Sequence, residues 1–410
     1  MSRDLSALDA RLDSAGADAY CIEADDADAN QLYLSGFDAP DPFLTAYTGD
    51  ELAVLVSGLE YGRATAESHA DTVARLSTYD YQERAAETGQ ATALSGVYAD
   101  FLADLDAESV LVPDRFPLGV ADGLREAGVA VDVDRDGAVE TVRARKTDEE
   151  LDAVARAQAA NEAAMAAAES LIADADVRAD GTLVVTGDGA DDGDGATDGD
   201  DADGPAPLTS ERVREEIEVT LLRHGCALDE TIVACGADAA DPHDRGSGPL
   251  CAGEPIIVDI FPREKSSRYH ADMTRTFSKG EPSDAVAERF ELTREALSAA
   301  LDALEPGATG AEVHAAACDV YEAAGHPTLR SDPDTETGFI HSTGHGVGLD
   351  VHERPSVNAR GEELRPGHVV TVEPGLYDPA VGGVRIEDIV VVTEDGYENL
   401  TDYPVELTVE

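Results

Sequence analysis

The chain is 410 residues long and carries 29 Lys+Arg against 86 Asp+Glu, a formal net charge of −57 at pH 7. A field that negative repels polyanions, which excludes nucleic acid as a partner, and no apolar run approaches the roughly 18 residues of a membrane span. At roughly 100–200 residues per domain the length predicts two or three domains, with cores of Ala, Val and Leu because aromatics are only 5% and Trp is absent.

Lys occurs only at 146, 265 and 279, and acid is spread over the whole chain. That balance predicts a halophile's protein, its self-repulsion cancelled at molar salt by a Debye length of about 3 Å. The first thirty residues are rich in Asp and Glu, unlike a signal peptide, so the expected location is the cytoplasm. Cys21, Cys226, Cys235, Cys251 and Cys318 are odd in number and form no CxxC pair, which predicts buried apolar thiols and argues against a disulfide scaffold or a zinc ribbon.

Residues 1–142 read as an α/β domain, with strands expected at 18–23, 31–37 and 51–57, each bounded by acidic, Gly or Pro punctuation. A second domain, 143–410, opens on a capping box at Thr147 and Glu150, followed by an Ala-rich helix to about 172. Further helices are predicted at 210–224, 283–304 and 311–324, the first closed by Gly225 and the last capped by Thr309 and closed by Gly325. Strands are predicted at 231–235, 256–260, 273–277, 369–373, 384–387 and 389–393. Strands interleaved with helices without strict βαβ alternation favour an α+β domain with an antiparallel sheet. The acidic run 187–204 fits neither an EF-hand nor a calcium nonapeptide repeat, and is expected to be a solvated, disordered insert.

Four carboxylates occupy strand positions where apolar residues are the rule: Asp259, Asp272, Glu373 and Glu387. Ionised carboxylates are rarely buried without a cation or a metal. The first two are 13 apart and the last two 14 apart, so each pair suits two neighbouring antiparallel strands. An imidazole is available from HSTGHGVGLDVHE at 341–353, which holds three of the ten histidines. Hard oxygens with one nitrogen fit divalent ions such as Mn²⁺, Co²⁺ or Zn²⁺. The glycines around His345 are expected to leave room for a metal or substrate.

With Pro242-His243, YHADMTRTF, HSTGHGVGLDVHERP, TVEPGLY and GGVRIED in this order, residues from about 143 onward resemble the pita-bread metallopeptidases, specifically the Xaa-Pro branch of prolidases and Xaa-Pro aminopeptidases. Residues 1–140 resemble that family's N-terminal domain more loosely. The resemblance implies a pita-bread domain with a curved antiparallel sheet behind a smaller creatinase-type α/β domain. It also implies two divalent ions, Mn²⁺ or Co²⁺ with Zn²⁺ as the other option, held by Asp259, Asp272, His345, Glu373 and Glu387. Glu373, His352 and His243 become catalytic, and His243, His341, His352 and Arg385 take up substrate, with Arg385 expected to hold Glu387. The implied reaction is hydrolysis of the bond before a proline in small peptides, by a hydroxide bridging both ions, in a homodimer. Arg268 stands where the family commonly has Gly. A methionine aminopeptidase-like exopeptidase and a non-catalytic binding protein of the same fold are the alternatives. Against the first stand the extra domain and His341; against the second, an intact ligand set.

The charge itself generates a test. Lowering KCl from molar to ~0.1 M lengthens the Debye length from about 3 to 10 Å, and like charges then repel across the surface. The melting temperature is expected to fall over that range; an unchanged value in a salt series contradicts the halophilic reading.

Overall fold

In the computed structural model, which describes residues 4–185, 205–305 and 307–410, the chain divides into two units, Met1–Arg143 and Ala144–Glu410. The acidic insert expected at 187–204 lies outside the described residues.

The first unit holds a six-stranded mixed sheet of β1 (Ala19–Ala24), β2 (Phe43–Tyr47), β3 (Leu52–Val56), β4 (Thr72–Arg75), β5 (Ser109–Pro113) and β6 (Ala130–Asp134), ordered β4-β3-β2-β1-β5-β6. β2 and β3 are buried at every residue, the pattern of strands covered on both faces. The strand expected at 31–37 is instead a helix, Ala29–Ser35. Asp28 caps it by accepting from the Gln31 N–H, and Gly36 closes it in the left-handed conformation at φ 61°. Leu32, Tyr33 and Leu34 form a short apolar run that fits a strand or a helix equally, and here Tyr33 and Leu34 are buried on a helix.

In the second unit β7 (Asp176–Val177) and β8 (Leu183–Val184) form a short ribbon, and β9 (Cys226–Ala227) pairs with β12 (Arg263–Glu264). The first main sheet is β10 (Thr231–Cys235), β11 (Ile256–Ile260), β13 (Met273–Lys279) and β21 (Thr408–Val409), in that order. The second contains β14 (Gly344–Gly346), β15 (Glu353–Val357), β16 (Val369–Val372), β19 (Asp388–Val392) and β20 (Tyr397–Asn399), ordered β15-β14-β16-β19-β20. Between β16 and β19 the chain makes a separate hairpin of β17 (Gly375–Asp378) and β18 (Gly382–Arg385).

Each main sheet packs against its own helix pair. Helices Asp148–Ala173 and Ser210–Arg223 bury Met165, Ile172, Val213 and Ile217 against Val258, Ile260, Met273 and Phe277. Helices Asp284–Asp302 and Gly310–Ala323 bury Phe290, Leu297, Val313 and Tyr321 against Val370, Val372, Ile386 and Val390. The capping boxes at Thr147/Glu150 and Thr309/Glu312 are both formed. Arg275 on β13 joins the two halves: it donates to the carbonyls of Thr274, Glu387, Tyr403 and Pro404 and to Asp388 Oδ1. All five cysteines are free.

The loop between β12 and β13 contains the departure noted in the sequence. Arg268 has φ 68°, in the left-handed region where a Cβ meets the following carbonyl. Arg268→Gly is expected to stabilise the protein by roughly 1 kcal/mol, the strain relieved outweighing the greater freedom of an unfolded glycine. Chemical denaturation checks it, and a destabilised variant shows that the Arg268 side chain contributes more than its backbone costs.

Candidate metal and active site

β11 and β13 alternate between two duties. Val258, Ile260, Met273 and Phe277 face the helices, so the residues between them face the other way. Asp259 is on that second face, in register with Thr274, and Asp272 directly precedes β13. Thr274 Oγ1 donates to Glu387 Oε2 at 2.7 Å and accepts from Arg385 Nε at 3.2 Å, while Thr276 Oγ1 exchanges hydrogen bonds with the Arg385 backbone. The MTRTF segment thus supplies a helix-facing row and a site-facing row.

The other two carboxylates sit at strand breaks and not within strands as expected. β16 pairs with β19 up to Val372 opposite Asp388, and Glu373 and Glu387 lie immediately past that pair, where the β17–β18 hairpin departs. The Glu373 N–H is fixed by the Thr343 carbonyl at 2.8 Å, and the Glu387 N–H by the Thr274 carbonyl at 3.0 Å.

His345 enters from β14, its N–H held by Thr371 Oγ1 at 3.0 Å. Its Nδ1 donates to the Gly346 carbonyl at 3.1 Å, which leaves Nε2 as a bare lone pair, 3.7 Å from Asp272 Oδ2 and 3.5 Å from Glu373 Oε1. The neighbouring glycines also meet a packing requirement within the protein. A Cβ on Gly344 would lie 2.0 Å from the Thr371 carbonyl oxygen, one on Gly346 2.2 Å from that of Arg354, and one on Gly348 2.4 Å from Glu353 Oε1. They admit neighbouring protein atoms, and Gly344 also lines the site cavity.

All nine residues proposed from the sequence line one cavity of about 560 Å³: Asp259, Asp272, His345, Glu373, Glu387, His243, His341, His352 and Arg385. The donor set fits a metal. Ligand atoms of Asp272, His345 and Glu387 lie within 4.8 Å of one another, and Asp259 Oδ1 is buried with no hydrogen-bond partner among the described residues. Burial, reinforced by the other carboxylates, raises the Asp272 and Glu387 carboxyls well above their ordinary range, and burial brings Glu373 to about 8. Burial also lowers His345 to about 3, so its ring is neutral and available to ligate.

Arg385 does not hold Glu387. Its Nη2 donates to Asp259 Oδ2 at 2.7 Å and its Nη1 to the Tyr377 hydroxyl at 2.8 Å; Thr274 serves Glu387 instead. Burial opposes the charge on Arg385, but Tyr377, Asp259 and Glu373 outweigh it and hold the guanidinium firmly protonated. His341 is neutral, lowered to about 3 by burial; Nδ1 donates to the Ser342 carbonyl, so Nε2 accepts from the Tyr377 hydroxyl at 3.0 Å. With both nitrogens engaged, His341 offers the cavity a ring edge. His243 and His352 are exposed on the cavity wall.

Thr274, Thr371 and Tyr377 were missed. The first two stand two residues from Asp272 and Glu373, a spacing that puts them on the ligand's face of a strand. Tyr377 carried no such signal, since its tie to Arg385 depends on the hairpin register, Tyr377 opposite Gly383.

Residues 152–394 match metallopeptidase family M24, and residues 5–145 match the creatinase/prolidase N-terminal domain. The chain is 43% identical over 180 residues to the "Probable dipeptidase PepE" of Mycobacterium bovis, covering 43% of this chain and 45% of that one. It is 37% identical over 180 residues to the Xaa-Pro dipeptidase of Pyrococcus furiosus, covering 43% and 49%. The matched stretch spans about half the length of these curated relatives. The crystal structure of the prolidase from Pyrococcus horikoshii superposes with a TM-score of 0.75 at 25% identity, covering 98% of this chain and 99% of that one.

The raised carboxyls fix the sign of a pH effect. Between about 4.5, the ordinary value, and about 8, the folded metal-free protein keeps a proton on Glu373 that the unfolded chain gives up. Folding there takes up protons, so stability falls as pH rises, by at most about 1.4 kcal/mol per unit per group. A bound cation removes the repulsion. The melting-temperature gain on adding saturating Mn²⁺ is therefore expected to grow from pH 5 to pH 8, and a gain that shrinks over that range contradicts the assignment.

Proposed function

Since the chain belongs to metallopeptidase family M24, we propose that it hydrolyses the bond between an N-terminal residue and a following proline in small peptides, as an Xaa-Pro dipeptidase or Xaa-Pro aminopeptidase. Asp259, Asp272, His345, Glu373 and Glu387 hold two divalent ions, Mn²⁺ or Co²⁺ in preference to Zn²⁺. The observation that carries this reading is the convergence of four carboxylates and a neutral imidazole on one cavity that three further histidines also line. The prolidase and Xaa-Pro dipeptidase names of the relatives support the proline specificity.

When bound, the ions supply Lewis acidity, polarising a carbonyl and making a water acidic near neutral pH. Glu373 takes the proton of the attacking water and returns it to the departing proline nitrogen. His352 and His243 donate to the oxygen that gains charge as the carbonyl becomes tetrahedral, each worth about 3–4 kcal/mol in comparable sites. Arg385 keeps Asp259 oriented through Oδ2 and leaves Oδ1 for a cation. A proline nitrogen in peptide linkage has no N–H, so the site must recognise the ring and the N-terminal residue.

A panel of Ala-Pro, Ala-Pro-Ala and Met-Ala-Ser with Mn²⁺ in molar KCl tests the reading. At least one of the proline peptides is expected to be cut faster than Met-Ala-Ser; the reverse order transfers the assignment to a methionine aminopeptidase. Asp272→Asn and Glu387→Gln are expected to abolish turnover with an unchanged circular dichroism spectrum and reduced metal content. His352→Ala is expected to lower kcat by ~10²–10³ at full metal content.

A further inference from the structure

The peptidase reading leaves open whether the site takes dipeptides or longer chains, and the charges lining the cavity bear on that choice. A dipeptide carries a free α-carboxylate within one residue of the scissile bond, and here that group must enter a cavity lined by five carboxylates in a chain of net charge −57. Two bound divalent ions would offset the four ligand carboxylates, but Glu230 and the charge of the whole chain remain, so holding an α-carboxylate calls for a further cation. Two guanidiniums line the cavity among the described residues, Arg385 and Arg245. Arg385 is 3% exposed and is engaged with Asp259, Tyr377 and Thr274.

Arg245 differs in each respect. Its side chain is 59% exposed and is paired with Glu230, itself 50% exposed, on the same cavity. Exposed pairs of this kind are weak, so a better-placed carboxylate can displace Glu230. The root of Arg245 is nonetheless fixed. Its carbonyl accepts from the Val233 N–H at 3.1 Å and from Arg214, and Arg214 also donates to the Gly246 carbonyl at 3.0 Å. Gly246 has φ +71°, and a Cβ there would fall 1.9 Å from the Val233 carbonyl oxygen, so the backbone is pressed directly onto β10. β10 in turn places Ile232 opposite Asp259. A guanidinium with a firm root and an exposed head, paired only with the exposed Glu230, stands beside the strand that neighbours a proposed metal ligand.

Resting on the peptidase reading, we propose that Arg245 receives the substrate's free α-carboxylate and makes the site selective for Xaa-Pro dipeptides, with Glu230 holding the guanidinium between turnovers. The planar fork of arginine suits a carboxylate in a two-point contact that lysine reproduces only in part.

The test compares Ala-Pro with Ala-Pro-amide on the Mn²⁺-loaded full chain. Wild type is expected to favour the free acid by about tenfold or more in kcat/KM. Arg245→Met raises KM for Ala-Pro about tenfold while kcat stays within about twofold, leaves the amide unaffected, and Arg245→Lys restores part of the loss. Equal effects of Arg245→Met on both substrates, or a wild-type preference for the amide or for Ala-Pro-Ala, overturn the proposal while leaving the peptidase reading intact. Failure of wild type to cut any proline peptide overturns the peptidase reading, and this proposal with it.

Discussion

Asp272, Glu373, Glu387 and the bare Nε2 of His345 all turn electron density toward one buried space, and the rest of the second unit is arranged to withstand that repulsion. No single strand could do it. Asp259 and Asp272 come from the first sheet, and His345, Glu373 and Glu387 from the second or from its broken ends. Each sheet puts one face into its own hydrophobic core, and those two cores supply the stability that the converging acids withdraw.

The polar side chains behind the ligands complete the containment. Thr274 and Thr371 give hydroxyls to Glu387 and to the His345 backbone, and Arg385 balances Asp259 from within the protein. Tyr377 then ties Arg385 to His341, so a ring on the cavity wall is oriented by the same guanidinium that steadies Asp259. Moving any of these groups would alter the proposed ligands and the cavity wall together.

Most of this centre was legible in the chain because buried acids violate the ordinary pattern of a strand, and violations are easy to see. The five ligands and four companions proposed from the sequence do share one cavity. What could not be read was the connectivity of side chains that obey the pattern. Thr274 looks like any strand threonine, and the target of Arg385 depends on which strands are neighbours: Asp259 lies 126 positions away in sequence. The second duty of the glycines at 344, 346 and 348 was hidden for a related reason, since only the packed backbone shows which atoms would meet a Cβ. At 31–37 the short apolar run 32–34 suited both periods, and the Asp28 cap and the Gly36 stop mark it as a helix.

Arg275 acts, in effect, as a cross-link. From β13 it reaches Asp388, 113 positions along the chain, and the Tyr403 and Pro404 carbonyls, 128 and 129 positions along. It closes chain loops of 113 to 129 residues, a job a long-range disulfide does in other proteins. A tie made of hydrogen bonds needs no oxidant and no isomerase to find its partners, and it can open and re-form as the two halves of the unit assemble. The long-range tie is thus independent of redox conditions, and the five free thiols serve as packing and not as cross-links: Cys21, Cys226 and Cys318 fill cores, and Cys235 Sγ accepts from the Cys251 N–H.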